Sequence, residues 1–295
     1  MQITFDSTSG KFVATDAAGN VLDSSKNRDY LKRKMNQLGM KEMAAVSAPS
    51  TAAAEFTIDA RFGFTSQLVE MVATGQTAST IITGEGGLGK SFTVMQALKA
   101  AGLRDVSDLE EGSVVAPRTS FCVVKGFSTA KGLYRTLYEN RNSIIVLDDI
   151  DSILKDADAV NLLKGALDSY DKRIISWNTN ATDDGLPRRF EFKGGVVFIS
   201  TMKLEKIDQA IRSRSMVVDL TMTMDEKIER MTTIMSDPAF MPEVAMSCKT
   251  DAIALIDQYK DAASEISMRT LIKVTKIRTS GNRNWAELAK YALLA

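Results

Sequence analysis

The sequence predicts an α/β fold in which a parallel sheet lies between layers of helices, followed by an all-helical domain. Between residues 80 and 220, short β-branched runs alternate with helical patterns, which is typical of a doubly wound sheet. The runs at 143–147 and 195–200 are continuously apolar, as expected for strands buried on both faces. From residue 225 onward the strand patterns stop, and the remaining patterns are helical.

Composition limits the classes of function. The chain has 295 residues, of which 44% are hydrophobic and 25% charged, which is ordinary for a globular protein of about two domains. Its 37 basic residues balance its 37 acidic residues, so the overall charge gives no support for wholesale binding to nucleic acid or to a membrane. Histidine is absent, which excludes imidazole ligands and Ser-His-Asp or Cys-His catalysis. Two cysteines, Cys122 and Cys248, are too few for a disulfide framework and fit no zinc spacing.

Residues 1–54 are predicted to form a small N-terminal appendage and a linker. Residues 2–15 predict a hairpin, 16–20 a second turn and 26–38 a charged helix, whereas 44–54 are small and polar, as in a linker. Apolar runs stay below the roughly 18 residues of a membrane span. The first residues also lack the layout of a signal peptide, so we expect a cytoplasmic protein that does not act in a membrane.

Residues 55–221 are predicted to form the α/β core, and residues 222–295 a helical lid domain. Strands of the core are predicted at 80–83, 120–125, 143–147, 195–200 and 216–220, and helices at about 64–74, 90–101, 129–140 and 157–170. Helices of the lid are predicted at 225–236, 239–247, 251–261, 268–279 and 284–294.

A glycine-rich stretch, TGEGGLGKS at residues 83–91, lies between the first core strand and the following helix. It matches the P-loop pattern G-x4-G-K-S, in which backbone N–H groups and the helix N-terminus hold phosphate. Lys90 is placed for the β- and γ-phosphates, and Ser91 for magnesium. The alternative is a turn that fits the pattern by chance, but the order of strand, motif and helix favours a site for ATP and Mg²⁺. Its binding residues are predicted to be Gly84, Glu85, Gly86, Gly87, Leu88, Gly89, Lys90 and Ser91.

An acidic pair ends the apolar run IIVLDD. Asp148 is expected to hold the magnesium, and Asp149 to activate the attacking water. Alone, such a pair could equally be a solvated turn at the end of a strand; together with the P-loop pattern it favours the phosphate-site interpretation.

The combination of these motifs resembles the AAA+ ATPases, over about residues 56–290. In particular, the segment CVVKGFSTAKGLYRTLYENRNSIIVLDDIDSIL resembles the stretch from strand two through the acidic motif of that family. The family commonly has Asp-Glu where this chain has Asp148 and Asp149, and the shorter carboxylate reaches about one bond less far. Some branches with initiator or loader roles also carry Asp-Asp. The resemblance implies ATP hydrolysis in an oligomeric ring, expected to be a homohexamer.

Further residues match the family by order along the chain. Thr201 follows a core strand where the family places a polar sensor. Arg214 is the best match to the arginine finger that acts on a neighbouring subunit, with Arg212 second; the alternative is a surface arginine. Arg269, in Ser-Met-Arg at the start of a helix, resembles the second sensor, although a solvated arginine at a helix start is nearly as good an interpretation.

The substrate of such an ATPase must be inferred from other features of the sequence. Residues 173–192 predict an inserted hairpin, and some AAA+ branches carry a hairpin there that points into the ring channel. Arg188 and Arg189 could contact a phosphate backbone, or the hairpin could pack on a neighbouring subunit. The aromatic residue that protein-threading members place after strand two is missing near Lys131, with Phe127 as a displaced substitute, which mildly disfavours an unfoldase.

These observations lead to two hypotheses for function. The first is an AAA+ ATPase that remodels or translocates a macromolecular substrate, either protein or nucleic acid. The second is a nucleotide switch with slow turnover that acts as a DNA-replication initiator or helicase loader.

Overall fold

The computed structural model describes residues 2–6, 10–16, 20–37, 55–107, 116–126, 128–178 and 185–295. The chain divides into two compact units, Met1–Ala48 and Pro49–Ala295, which are treated separately below. The predicted linker at 44–54 and Phe127 lie outside the described residues.

The first unit is a three-stranded antiparallel sheet with one helix. It contains β1 (Gln2–Asp6), β2 (Lys11–Thr15), β3 (Val21–Ser25) and α1 (Arg28–Gln37), with strand order β1-β2-β3. The predicted hairpin and helix are present, and β3 is an addition. The sequence VLDSS of β3 lacks the regular alternation of a strand, and its register against β2 shifts between Ala14 and Thr15. Ala14, Leu31 and Met35 form the core of this unit.

The second unit is built on a six-stranded parallel sheet. Its elements before the lid are α2 (Ile58–Thr74), β4 (Ser79–Thr83), α3 (Lys90–Ala100), β5 (Arg104–Asp105), β6 (Ser120–Lys125), α4 (Ala130–Glu139), β7 (Ile144–Asp148), α5 (Ala157–Ala166), β8 (Ile174–Ser176), β9 (Arg189–Glu191), β10 (Gly195–Ser200), α6 (Gln209–Arg212) and β11 (Met216–Asp219). The strand order is β11-β4-β10-β7-β6-β5, and every pair is parallel. The predicted α/β class with a parallel sheet is confirmed.

Both faces of the sheet are buried, which explains the uninterrupted apolar runs. In β7, Ile145 and Leu147 pack in one cluster with residues of α4 and α5, whereas Ile144 and Val146 pack in another with residues of α2 and α3. Successive side chains of a strand point to opposite faces, so each face takes alternate residues of the same run.

The lid contains four helices: α7 (Met224–Met235), α8 (Met246–Tyr259), α9 (Met268–Thr279) and α10 (Trp285–Leu294). The predicted pair of helices at 239–247 and 251–261 is wrong, because α8 is a single helix. Met241 has a φ of 46°, which is incompatible with helix, and Pro242 follows it, so the chain turns before α8 begins. Within α8, Lys249 is buried and donates to the carbonyl oxygen of Phe240, so this lysine does not interrupt the helix.

Three other boundaries differ from the prediction. α2 begins at Ile58, six residues before the predicted start, because Thr57 caps it by accepting from the N–H of Ala60 at 3.3 Å. α5 ends at Ala166, four residues before its predicted end. β5 is an edge strand of two residues, which is too short to be predicted from a sequence pattern. Within the described residues, the structure contains no helix long and apolar enough to cross a membrane.

The predicted hairpin is present at its base, where β8 and β9 pair antiparallel. The ring of Tyr134 in α4 lies 5.9 Å from that of Trp177 and 5.3 Å from that of Phe190, and its hydroxyl donates to the carbonyl oxygen of Pro187 at 2.6 Å. The base of the hairpin is therefore held on α4 of the same chain. The predicted turn at residues 179–184 lies outside the described residues.

Candidate functional site

The glycine-rich loop, residues 84–91, lies at the carboxyl end of β4, an interior strand of the sheet, and leads into α3. Its backbone requires glycine at several positions. Gly84 has a φ of 137°, and a Cβ there would lie 2.9 Å from the carbonyl carbon of Leu220. Gly87 and Gly89 have φ of 74° and 96°. Leu88 is buried in the core and anchors the loop from within. Glycine thus allows a tight turn that side chains would block.

Lys90, the first residue of α3, points back over this loop. Its Nζ donates to the carbonyl oxygens of Gly84 at 2.8 Å and Glu85 at 2.6 Å, and the side chain is almost fully buried. Burial lowers the pKa of Lys90, and the carboxylates of Asp149 and Asp148 act in the opposite direction. A buried ammonium held by neutral carbonyls is available to an anion that enters the loop.

Ser91 and Asp148 meet at the base of the loop. The Ser91 hydroxyl donates to Oδ1 of Asp148 at 2.9 Å, and Nζ of Lys125 lies 3.0 Å from Oδ2. Lys125 ends β6 and is in register with Asp148, which ends β7, so the two parallel strands deliver both charges to one edge. Asp148 is buried, whereas the side chain of Lys125 is two-thirds exposed.

Asp149 follows with a left-handed backbone. Its φ is 56°, and its N–H donates to the carbonyl oxygen of Ile199 at 2.9 Å, which fixes the turn against the neighbouring strand β10. Burial raises the pKa of the Asp149 carboxyl, and the charge of Asp148 raises it further. The ammonium of Lys90 acts in the opposite direction, so the two groups are close enough to interact electrostatically.

Thr201 lies on the same edge, just after β10. Its hydroxyl donates to Oδ2 of Asp151 at 3.3 Å, and the buried hydroxyl of Ser200 donates to Oδ1 at 2.6 Å. Asp151 therefore orients both hydroxyls at the end of β10. The structure places Thr201 at the same end of the sheet as the acidic pair, where Asp151 accepts from both Thr201 and Ser200.

The lid contacts the loop at two points. The N–H of Met268 donates to the carbonyl oxygen of Gly87 at 2.8 Å, which places the start of α9 on the loop. Nζ of Lys227 in α7 forms an ion pair with Oε2 of Glu85. Arg269 is exposed at the start of α9, and its charge partly opposes the rise that burial causes in the pKa of Asp149. The structure thus brings Arg269 towards the acidic pair.

Arg214 lies at the opposite edge of the sheet. Its carbonyl oxygen accepts from the hydroxyl of Ser79, the first residue of β4, whereas the glycine-rich loop follows the last. At about 3.3 Å per residue, the length of β4 separates them by more than 10 Å. Arg214 is exposed and lines a pocket of about 530 Å³ together with Arg118 and Arg173. Within one chain, Arg214 is therefore not brought to the loop.

Three residues near the glycine-rich loop were not singled out from the sequence: Lys125, Asp151 and Lys227. The first two had a recognisable pattern, since Lys125 ends a predicted strand and Asp151 lies two residues after the acidic pair. Lys227 had none, because its partner Glu85 is 142 residues away in the chain.

Comparison with known proteins finds a family model that matches part of the chain. Residues 80–222, which run from β4 through β11, match the model of the ATPase family associated with various cellular activities (AAA). An uncharacterized 36.7 kDa protein in the nrdC-mobD intergenic region of Enterobacteria phage T4 is 28% identical over 250 residues, covering 79% of this chain and 73% of that protein. Two structures of RuvB variants from Thermotoga maritima align at 14% identity with TM-scores of 0.48 and 0.46, covering 83% of this chain and 72% and 70% of theirs.

The family model covers the glycine-rich loop, the acidic pair and the strand that carries Thr201 to the same edge. Residues 80–222 of the chain therefore carry an AAA ATPase domain.

Proposed function

We propose that this chain binds ATP with Mg²⁺ at the glycine-rich loop and hydrolyses it in a homo-oligomeric ring, using the reaction to remodel or translocate a protein or a nucleic acid. The observation that carries the proposal is the hydrogen bond from Ser91 to Asp148 beneath a loop that also holds the buried ammonium of Lys90. This arrangement combines a cation and a hydroxyl from the first turn of α3 with a carboxylate from the end of β7.

The residues present fit a magnesium–triphosphate complex. Mg²⁺ is usually held by one or two carboxylates together with substrate phosphates and water. Asp148 and Ser91 offer one carboxylate and one hydroxyl, and the described residues contain no group of three or more acidic or thiol side chains that could hold a metal without a substrate. Bound there, Mg²⁺ supplies positive charge that stabilises the transferring phosphoryl group. With the complex bound, Lys90 would exchange its two backbone carbonyls for the phosphates, and Asp148 would hold the metal in place of its ion pair with Lys125.

The neighbouring side chains support hydrolysis. The carboxylate of Asp149 accepts a proton from the attacking water. The hydrogen bond from the Asp149 N–H to the carbonyl oxygen of Ile199 holds this residue beside the loop. Thr201, oriented by Asp151, hydrogen-bonds the same water or the terminal phosphate. Arg269 extends from the lid towards that region and adds positive charge.

Arg214 supports an oligomer. A guanidinium on the edge opposite its own loop can act only on the loop of another copy, as an arginine finger does in trans. Head-to-tail contacts of this kind generate rings when the rotation closes. A homohexamer is our proposal for the size of that ring, by analogy with the family.

The hairpin is the proposed contact with substrate. Arg188 and Arg189 are exposed at β9, while the aromatic side chains at the hairpin's base anchor it on α4, so these two cations are available to a partner. Cationic side chains there suit a phosphate backbone, which favours nucleic acid over unfolded protein among the substrates that we propose.

The first experiment measures ATP binding by calorimetry and ATP turnover, each with Mg²⁺. Lys90→Ala is expected to abolish both, because the phosphates lose their main charged partner. The matched control is Lys99→Ala, which removes an exposed lysine from the last turn of the same helix and is expected to change neither. Wild-type protein that binds no ATP, or a Lys90→Ala variant that turns over normally, would refute the proposal.

A second experiment tests the ring. Arg214→Ala is expected to keep ATP affinity and lose turnover, and mixing it with Asp149→Asn is expected to restore part of the turnover, since each variant supplies what the other lacks. Light scattering with ATP and Mg²⁺ gives the oligomer size. A fully active monomer excludes the trans role of Arg214.

The second candidate function is a nucleotide switch with slow turnover, such as a replication initiator or helicase loader. The short side chain of Asp149 favours it, because the reach to water is shorter than that of glutamate. Asp149→Glu separates the two: the switch predicts a large increase in turnover, whereas an efficient motor predicts little change. Stimulation of wild-type turnover by single-stranded DNA, duplex DNA or unfolded protein identifies the substrate of a motor.

A further inference from the structure

Lys227 is a buried lysine with a partner in the glycine-rich loop. It lies in α7, the first helix of the lid, and its side chain is 4% exposed, whereas that of Glu85 is 39% exposed. Within the described residues, Glu85 is the only side chain with which Lys227 forms an ion pair. A buried ammonium is costly without an opposite charge, so this pair determines where the start of α7 can lie relative to the loop.

Glu85 contacts two lysines through two different groups. Its carbonyl oxygen accepts from Lys90, and its carboxylate pairs with Lys227. A carboxylate is an unusual group to place in a loop that holds phosphate, because it repels the ligand. Pairing with Lys227 cancels that charge, provided that the lid is in contact with the loop.

The lid touches the loop at a second point, where the N–H of Met268 donates to Gly87. In addition, a Cβ at Gly89 would lie 3.9 Å from Cδ1 of Ile234, another residue of α7. The ion pair thus belongs to a packed contact between lid and loop, and it supplies the electrostatic part of that contact.

We propose that Lys227 is a positioning residue that neutralises Glu85 and so makes the affinity of the loop for polyphosphate depend on lid contact. This inference rests on the proposed function, because it concerns the same ATP site. When the lid withdraws, Glu85 is left unpaired and repels the phosphates; when the lid is in place, Lys227 compensates the carboxylate. Polyphosphate binding and lid contact therefore favour each other.

The test is a double-mutant cycle with Lys227→Met, Glu85→Gln and the combined variant, in the full chain. Dissociation constants for ATP, ADP and adenosine are measured by calorimetry, and thermal melts verify folding. Lys227→Met is expected to weaken ATP about tenfold and ADP less, because the repulsion grows with phosphate charge, and to leave adenosine nearly unchanged. The double variant is expected to regain ATP affinity to within about twofold of wild type, since both the unpaired carboxylate and its lysine are gone.

Lys260→Met is the matched control. Lys260 is also a lid lysine that pairs with a carboxylate of α7, Asp225, at 2.6 Å, but it does not contact the loop. It is expected to leave all three dissociation constants unchanged. If Lys227→Met does not fold, Glu85→Gln carries the test alone: ATP is expected to bind more tightly than to wild type, since Lys227 then has the phosphates as its counter-charge.

Three results overturn the inference: a double variant as weak as Lys227→Met, an equal loss for adenosine, or a Glu85→Gln variant that binds ATP more weakly than wild type. Each indicates a purely structural pair. Failure of the proposed function is distinguishable, because then wild-type protein itself binds no ATP.

Discussion

Replacing Gly87 with alanine is expected to destabilise the contact between the lid and the glycine-rich loop. Gly87 has a φ of 74°, a left-handed conformation that costs an alanine about 1 kcal/mol. The added Cβ would lie 3.0 Å from Cβ of Ser267, which is fully buried at the start of α9, and overpacking of this kind typically costs about 1–3 kcal/mol. The sum is a loss of about 2–4 kcal/mol in the free energy of unfolding, or roughly 4 to 16 °C in Tm for a unit of this size.

The assay is thermal and urea unfolding without nucleotide, so that loss of ligand binding does not enter the result. Gly86→Ala is the matched control, since no atom lies within 4 Å of a Cβ there and its φ is not in the left-handed region. The control is expected to change stability by less than about 0.5 kcal/mol. If Gly87→Ala and Gly86→Ala lower Tm equally, or neither does, the contact between loop and lid does not have the geometry described above.

Three further predictions concern neighbouring residues. Asp149→Asn is expected to raise Tm at neutral pH, because the raised pKa of Asp149 means that its ionised form opposes folding; the difference from wild type should shrink as the pH falls through that pKa, and a constant difference contradicts the assignment. Lys125→Met is expected to lower by about two- to fivefold the Mg²⁺ concentration needed for half-maximal ATP binding, since an exposed ion pair with Asp148 is weak but competes directly; titration at fixed ATP measures it. Tyr134→Phe is expected to cost about 1 kcal/mol in urea unfolding, because the carbonyl of Pro187 loses its donor, and an unchanged midpoint would argue against that hydrogen bond.

Local features made the sheet predictable. The runs that became β7 and β10 are apolar without interruption, and both faces of each strand are buried, so burial and sequence pattern coincide. The glycine-rich loop was equally predictable. Gly84 and Gly87 have positive φ, which favours glycine, so the loop is visible in the sequence as a run of glycines. Side chains at strand ends followed from the parallel order, which brings Ser91, Asp148 and Thr201 to one edge.

Contacts that depend on tertiary packing were not predictable. Nothing near Lys227 in the sequence indicates a buried lysine, and its partner belongs to a different element. The prediction of two helices at 239–247 and 251–261 also failed: the chain turns at Met241, and a single helix, α8, follows, in which the buried Lys249 donates to the carbonyl oxygen of Phe240. The roles of Arg214 and Arg269 remain predictions, since one needs a second copy and the other a bound nucleotide.

The placement of Arg214 and the glycine-rich loop at opposite ends of β4 determines how many complete reaction centres an assembly contains. On the proposed function, every protomer donates half of one reaction centre and receives half of the next. An open arc of protomers then has one centre fewer than it has chains, and only closure makes the numbers equal. Specific activity should therefore rise stepwise when the last subunit closes the ring. One missing contact between protomers inactivates the reaction centre at that contact and leaves the other centres active.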